Sequence, residues 1–145
     1  MSARVFQLVD AVVSDLNAAF AGQFTAIRST VPLIDLKTMG TALSVRVLPR
    51  TVTPEQLNRG TWVDDVEIDI GVQQKVEAET GAAEEAAIEA VVSVAEQIRD
   101  FLRGHVLASL PNCRPLSVKH DPVVHPEHMR AFRLCTSIVS VSYRQ

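Results

Sequence analysis

One stretch constrains the fold more than any other: from Trp62 to Gln74 the chain alternates with period two. Trp62, Val66, Ile68, Ile70 and Val72 share one parity, while Asp65, Glu67, Asp69 and Gln73 share the other. Successive side chains of a strand point to opposite faces, so one face is expected to be buried and the other wet and acidic. Asp64 alone breaks the apolar parity, which puts the start of the strand proper after it. Upstream, Leu43, Val45 and Val47 alternate with Ser44 and Arg46 until Pro49, a second strand signal. The two together read as an antiparallel hairpin with a long connection from Arg50 to Gly60. Within it, Thr53-Pro54-Glu55-Gln56 reads as one helical turn, with Thr53 as cap and Pro54 at the first position. Connections this long at a hairpin tip are more often functional than decorative.

A sheet with one apolar face needs a covering layer, and two helical patterns supply it. Val5, Leu8, Val9, Val12, Val13, Leu16, Ala19 and Phe20 recur at helical spacing, giving a helix from about Ser2 to Phe20. Ser2 is its expected N-cap and Gly22 its stop. Phe24 to Leu36 is apolar but irregular, and Pro32 leaves either a short edge strand or an extended linker. Ala82 to Arg103 is the second helix, with Ile88, Val91, Val92, Ala95, Ile98 and Leu102 as its apolar stripe. Glu84 and Glu85 sit at its positive end, Arg99 and Arg103 at its negative end, and Gly104 ends it. A short strand is expected from Leu116 to His120. A last one runs from about Phe132 to Tyr143, apolar on both faces and therefore central. The order is helix, strands, helix, strands. It predicts one α+β domain over residues 1–145, a mostly antiparallel sheet of about four strands packed by two main helices.

Composition narrows the function. With 145 residues the chain can bury roughly 68–70% of its unfolded surface, so its core is adequate without disulfides or metal. A net charge of −3 gives no general reason to bind nucleic acid. Cys113 and Cys135 are too far apart for a zinc site or a Cys-x-x-Cys pair, and free buried thiols are favoured over a single disulfide. The first apolar run is broken by Gln7, Asp10 and Asp15, and no stretch of about 20 apolar residues occurs. The expectation is a soluble, cytoplasmic chain.

His120, Asp121, His125 and His128 form the one cluster of ligand-type residues. Their spacing matches no compact metal motif, and Pro122 and Pro126 are expected to hold them in an ordered surface loop. A small metal- or ligand-binding enzyme built on His120, His125 and His128 is the competing reading from a different class. No Gly-x-Ser-x-Gly elbow or glycine-rich phosphate loop occurs. A Cys135–His128 pair stays open, although a thiol in a central strand is usually inert. Asp64, Asp65, Glu67 and Asp69 read as a solvated face. No catalytic residue, cofactor or metal ligand is assigned, and the chain is read as a non-enzyme.

Charge is informative by placement. Glu55 to Asp100 holds twelve acids against three bases, a balance of −9; the rest holds five acids and eleven bases, a balance of +6. Such a division suits head-to-tail contact between copies, which closes into a ring when the rotation allows. An acidic inner wall would let a duplex pass without sticking.

The residues of the long alternation carry a family resemblance. Trp62 through Lys75, with Asp64, Glu67-Ile68-Asp69-Ile70 and Gly71-Val72-Gln73-Gln74-Lys75, resembles the central strand of small tail-completion proteins of long-tailed bacteriophages. Pro126-Glu127-His128-Met129, Phe132 and Thr136-Ser137-Ile138-Val139-Ser140-Val141-Ser142-Tyr143-Arg144 are similar to the terminal strand of the same neck and tail-terminator group. The helix from Ile88 to Leu102 has the matching position and length, so the likeness spans about Leu43 to Arg144. Cys135 and the His- and Pro-rich loop depart from the pattern.

The resemblance implies a small α/β sheet with helices on one side, in a ring that is generally hexameric. Such a ring caps the tail tube, stops its polymerisation and meets the head-tail connector or stopper protein, while DNA passes through the lumen without specific binding. It implies no cofactor and no membrane partner, with residence in the virion and, during assembly, in the host cytoplasm. A head-completion or stopper protein of the neck is the nearest alternative. Charge and exposure make Arg46, Arg50 and Arg133 candidates to pair across subunits with Glu67, Asp69 or Glu84. Thr53, Glu55, Gln56 and Arg59 are candidates to reach a neighbouring ring.

Overall fold

The computed structural model describes residues 3–30, 42–76 and 81–145. Its elements are α1 (Arg4–Ala19), β1 (Ala26–Arg28), β2 (Ser44–Asn58), β3 (Thr61–Lys75), α2 (Gly81–Leu102), β4 (Arg114–His120), α3 (Pro126–Phe132) and β5 (Leu134–Arg144). The five strands form one sheet in the order β1-β2-β3-β5-β4. β1 runs parallel to β2, and every other pair is antiparallel. The α+β class and the largely antiparallel sheet agree with the sequence reading, with one more strand and one more helix.

The apolar parity of β3 does what its period requires. Val66, Ile68, Ile70 and Val72 are buried together with Val45 and Val47 of β2 and Val139, Val141 and Tyr143 of β5. α1 covers them with Leu8, Val9, Val12 and Leu16, and α2 with Val91, Ala95, Ile98 and Leu102. Ile88 and Val92, expected in the α2 stripe, are half-buried, with Ile88 packed against this core. β5 sits between β3 and β4, and residues on both its faces are buried, as its two apolar faces predict.

The first helix begins without a side-chain cap: Ala3 is its N-cap residue, and the expected cap Ser2 lies outside the described residues. At its far end Asn17 grips β1, accepting from the Ala26 N–H at 2.7 Å and donating to the Ala26 carbonyl at 3.0 Å. Of the two readings for Phe24 to Leu36, the edge strand is realised over Ala26–Arg28; Pro32 lies outside the described residues.

Two sequence expectations fail. The connection from Arg50 to Gly60 is not a loop, and Thr53 to Gln56 is not a helical turn. β2 continues through Pro49 and Pro54 as far as Asn58, and β3 starts at Thr61, before Asp64. Only Arg59 and Gly60 lie between the paired residues Asn58 and Thr61, and the Asn58 side chain accepts from the Gly60 N–H at 3.2 Å. Among the described residues β1 pairs with β2 only at Val45–Val47, which leaves the later part of β2 an edge where prolines are tolerated. A bulge between Pro49 and Thr51 absorbs the irregularity.

The second failure is the stretch before β5, which is helical from Pro126 to Phe132 rather than loop or strand. Pro126 takes the first helical position, where its missing N–H costs nothing, and His125 Nδ1 accepts from the His128 N–H at 3.3 Å as cap. Arg133 ends the helix in a left-handed conformation (φ 53°).

Candidate functional site

Two surfaces are built by these elements: the sheet face opposite α1 and α2, and the far end of the β2–β3 hairpin. The open face carries the second parity of β3 beside the even-numbered residues of β5, since Asp69 pairs with Ser140 and Gln73 with Thr136. At one end α3 closes over it. His128 Nδ1 lies 2.8 Å from Thr136 Oγ1, which also accepts from Gln73 Nε2 at 3.0 Å, and the His125 and His128 rings stack at 3.8 Å. The face is therefore acidic, as expected, but only half wet: Gln73 and Thr136 are fully buried.

Beyond α3 the face forms an open depression of about 350 Å³ lined by Arg50, Asp69, Lys119, Asp121, His125 and Ile138. Its charges are balanced from within. Arg50 meets Glu67 at 3.2 Å and Asp69 at 3.9 Å, Ser140 donates to Asp69 at 2.6 Å, and Lys119 lies 3.5 Å from Asp121. Toward the hairpin, Arg144 grips Asp65 at 2.8 Å and Glu55 at 2.7 Å. The Arg144 hydrogen bond holds the Asp65 carboxyl below the usual carboxylate range.

The histidines named from the sequence do not converge. His120 pairs with Val139 and reaches Ser137 Oγ at 2.6 Å, on the helix-covered side, whereas His125 and His128 lie on the open face beside Thr136. Adjacent strand residues point to opposite faces, so the sheet itself separates the two groups. Among the described residues no cluster of three or more His, Cys, Asp or Glu is placed to hold a metal ion. Burial pushes the Cys135 thiol up to about 11, and Cys135 belongs to the helix-side core, across the sheet from His128. The two are not a nucleophile and its base. Ser137, next to His120, is fully buried and out of reach of a substrate. Both cysteines are free and buried.

The hairpin end differs in kind. Every residue from Arg50 to Trp62 is exposed. β5 pairs with β3 only from Asp65, so among the described residues Glu55 to Val63 project as a two-stranded arm with no third strand beside them. Thr53, Glu55, Gln56 and Arg59 all lie on this arm. It also carries Leu57 and Trp62, with Trp62 62% exposed. The alternation assigned Trp62 to the buried face, and its parity is indeed that of Val66. The helical layer ends first: α1 begins at Arg4, whose guanidinium reaches only Asp64, at 3.0 Å.

The charge division is largely used inside one chain. Arg4, Arg50, Arg133 and Arg144, from the basic portions, pair with Asp64, Glu67, Glu84 and Asp65 of the acidic portion. Five of the six residues expected to pair across subunits thus meet within the chain, and Arg46 contacts Ser44 at 3.4 Å. Among the described residues, Glu85, Glu89 and Glu96 on the outward side of α2 and Arg59 at the hairpin tip hold no ion pair. No helix among them is long and apolar enough to cross a membrane. Compared with known protein families the chain matches no family model, and compared with curated proteins it has no significant match.

Proposed function

We propose that this chain is a structural virion subunit, a tail terminator that assembles as a ring on the tail tube of a long-tailed bacteriophage. One ring face meets the last ring of tube subunits; the other offers no site for a further tube subunit and meets the head connector. The mechanism is geometric and requires no bond-making residue. The observation that carries this reading is the projecting β2–β3 arm, which exposes Trp62 and Leu57 at one end of the sheet. An exposed tryptophan is the kind of residue that anchors a protein interface. The end of the sheet that holds the start of α2 presents a different, acidic surface, and two unlike ends are what a head-to-tail ring requires. The family resemblance supplies the tail and the hexameric count.

Deleting the gene during phage growth tests the proposal. The expected outcome is tail tubes of uncontrolled length, restored to one length by the protein supplied in trans. Tubes of normal length that merely fail to join heads would overturn it in favour of a neck stopper.

A further inference from the structure

Three features lie away from the hairpin arm: the charge-balanced depression on the open face, the stacked His125–His128 pair, and a groove along one flank of α2. The groove is the one with a counterpart elsewhere on the chain. It encloses about 440 Å³ between Ile88, Val92, Ser93, Glu89 and Glu96. Its floor is apolar and half-buried, and its rim is acidic, with both glutamates exposed. The hairpin arm has the complementary composition: the exposed indole of Trp62, Leu57, and Arg59 at the turn.

We infer that the arm of one copy of this chain seats in the α2 groove of the next, with Trp62 over Ile88 and Val92 and Arg59 between Glu89 and Glu96. The inference rests on the ring reading only for its closure and copy number; the contact itself follows from the two surfaces. Charge complementarity selects the occupant, because Arg59 and Glu89 are without ion-pair partners among the described residues of their own chain. An isolated two-stranded hairpin is marginally stable in water, so a covering surface also stabilises the arm.

The contact is intermolecular by geometry. His120, which feels the charge of Glu96, pairs with Val139, and Val139 pairs with Ile70. Ile70 is eight residues from Trp62 along β3, about 26 Å at the strand rise, and the arm points away from it. The first turn of α2 lies farther still: Glu84 pairs with Arg133, whose carbonyl accepts from Val76 just past the end of β3. Donor and receptor therefore sit toward opposite ends of the subunit, and repeating the contact generates a ring or an open helix.

The test is the self-association of the full chain, measured by sedimentation, with exposed residues substituted so that folding is preserved. Trp62→Ala is expected to weaken association about thirtyfold, as truncation of a central anchor does. Arg59→Glu and Glu89→Arg are each expected to weaken it about tenfold, and the double variant R59E/E89R to recover most of the loss. Cysteines placed at 59 in one population and 89 in another, in a chain lacking Cys113 and Cys135, are expected to cross-link only between the two populations. A wild-type chain that stays monomeric at millimolar concentration, or a ring indifferent to all three substitutions, overturns the inference. Loss and rescue by the charge pair alongside normal tail length would keep the contact and remove the terminator reading. Uncontrolled tails with an unaffected ring would do the reverse.

Discussion

Trp62 and His128 are where sequence and structure part at the scale of single residues, and for one reason: periodicity names a face but not what lies over it. Trp62 has the parity of the core and no helix to meet it, because α1 begins only at Arg4. His120, His125 and His128 are neighbours in sequence, yet the sheet lies between the first and the other two. Both His120 and His128 are held below the ordinary histidine value, first by burial; Arg99 then adds to the shift at His120 and His125 at His128. In the unfolded chain each binds a proton as pH falls through about 6.5, while in the folded chain each resists it. Their stabilisation is therefore complete above about pH 6.5 and is lost as pH falls through that value toward the lower folded values. Asp65 acts further down the scale, its contribution being lost as pH falls below its ordinary value near 3.8. Urea midpoints taken at about pH 7.5 and 5.5 should drop on acidification, and His128→Gln should flatten the drop. A midpoint that rises toward pH 5.5 would contradict the assignment.

Elements were legible where one period ran unbroken over a buried face. β3, β5 and the inner stripes of α1 and α2 follow from their apolar spacing, because packing on one face enforces that spacing. The hairpin arm and α3 were misread because neither buries a residue. Prolines at 49 and 54 and polar neighbours look like a loop when no core selects their parity, and Pro126 looks like a breaker although it is well suited to start a helix. The arm's independence from the core leads to a prediction. Replacing Glu55 to Val63 by a short Asn-Gly turn removes eight exposed residues, the half-buried Val63 and the bond of Glu55 to Arg144. Exposed ion pairs contribute about 0–1 kcal/mol, so the melting temperature should move by only a few degrees. Self-association should vanish. A shortened chain that fails to fold would show that the arm belongs to the structural core after all.

Across the whole molecule, charge is divided twice, with different consequences. The segregation of −9 and +6 along the sequence is folded largely onto itself, as arginines from the basic portions meet carboxylates of the acidic portion in pairs that are mostly half-exposed. What is left over among the described residues includes three acids along α2, Glu85, Glu89 and Glu96, and a base at the hairpin tip, Arg59. The internal pairs contribute little to stability individually, because solvent screens them. The residual charges matter only when two copies meet, and they act over a distance that salt shortens from about 14 Å at 0.05 M to about 4 Å at 0.5 M. Raising salt across that range should thus leave the urea midpoint nearly unchanged while weakening self-association about tenfold, mainly through slower encounter. Trp62→Ala, which removes apolar contact and no charge, should weaken association at both salt concentrations and keep the same salt dependence. Arg59→Gln should abolish that dependence, and Arg59→Glu should reverse it. If association instead strengthens with salt, the contact between copies is apolar throughout, and the acidic side of α2 is not the surface that receives the arm.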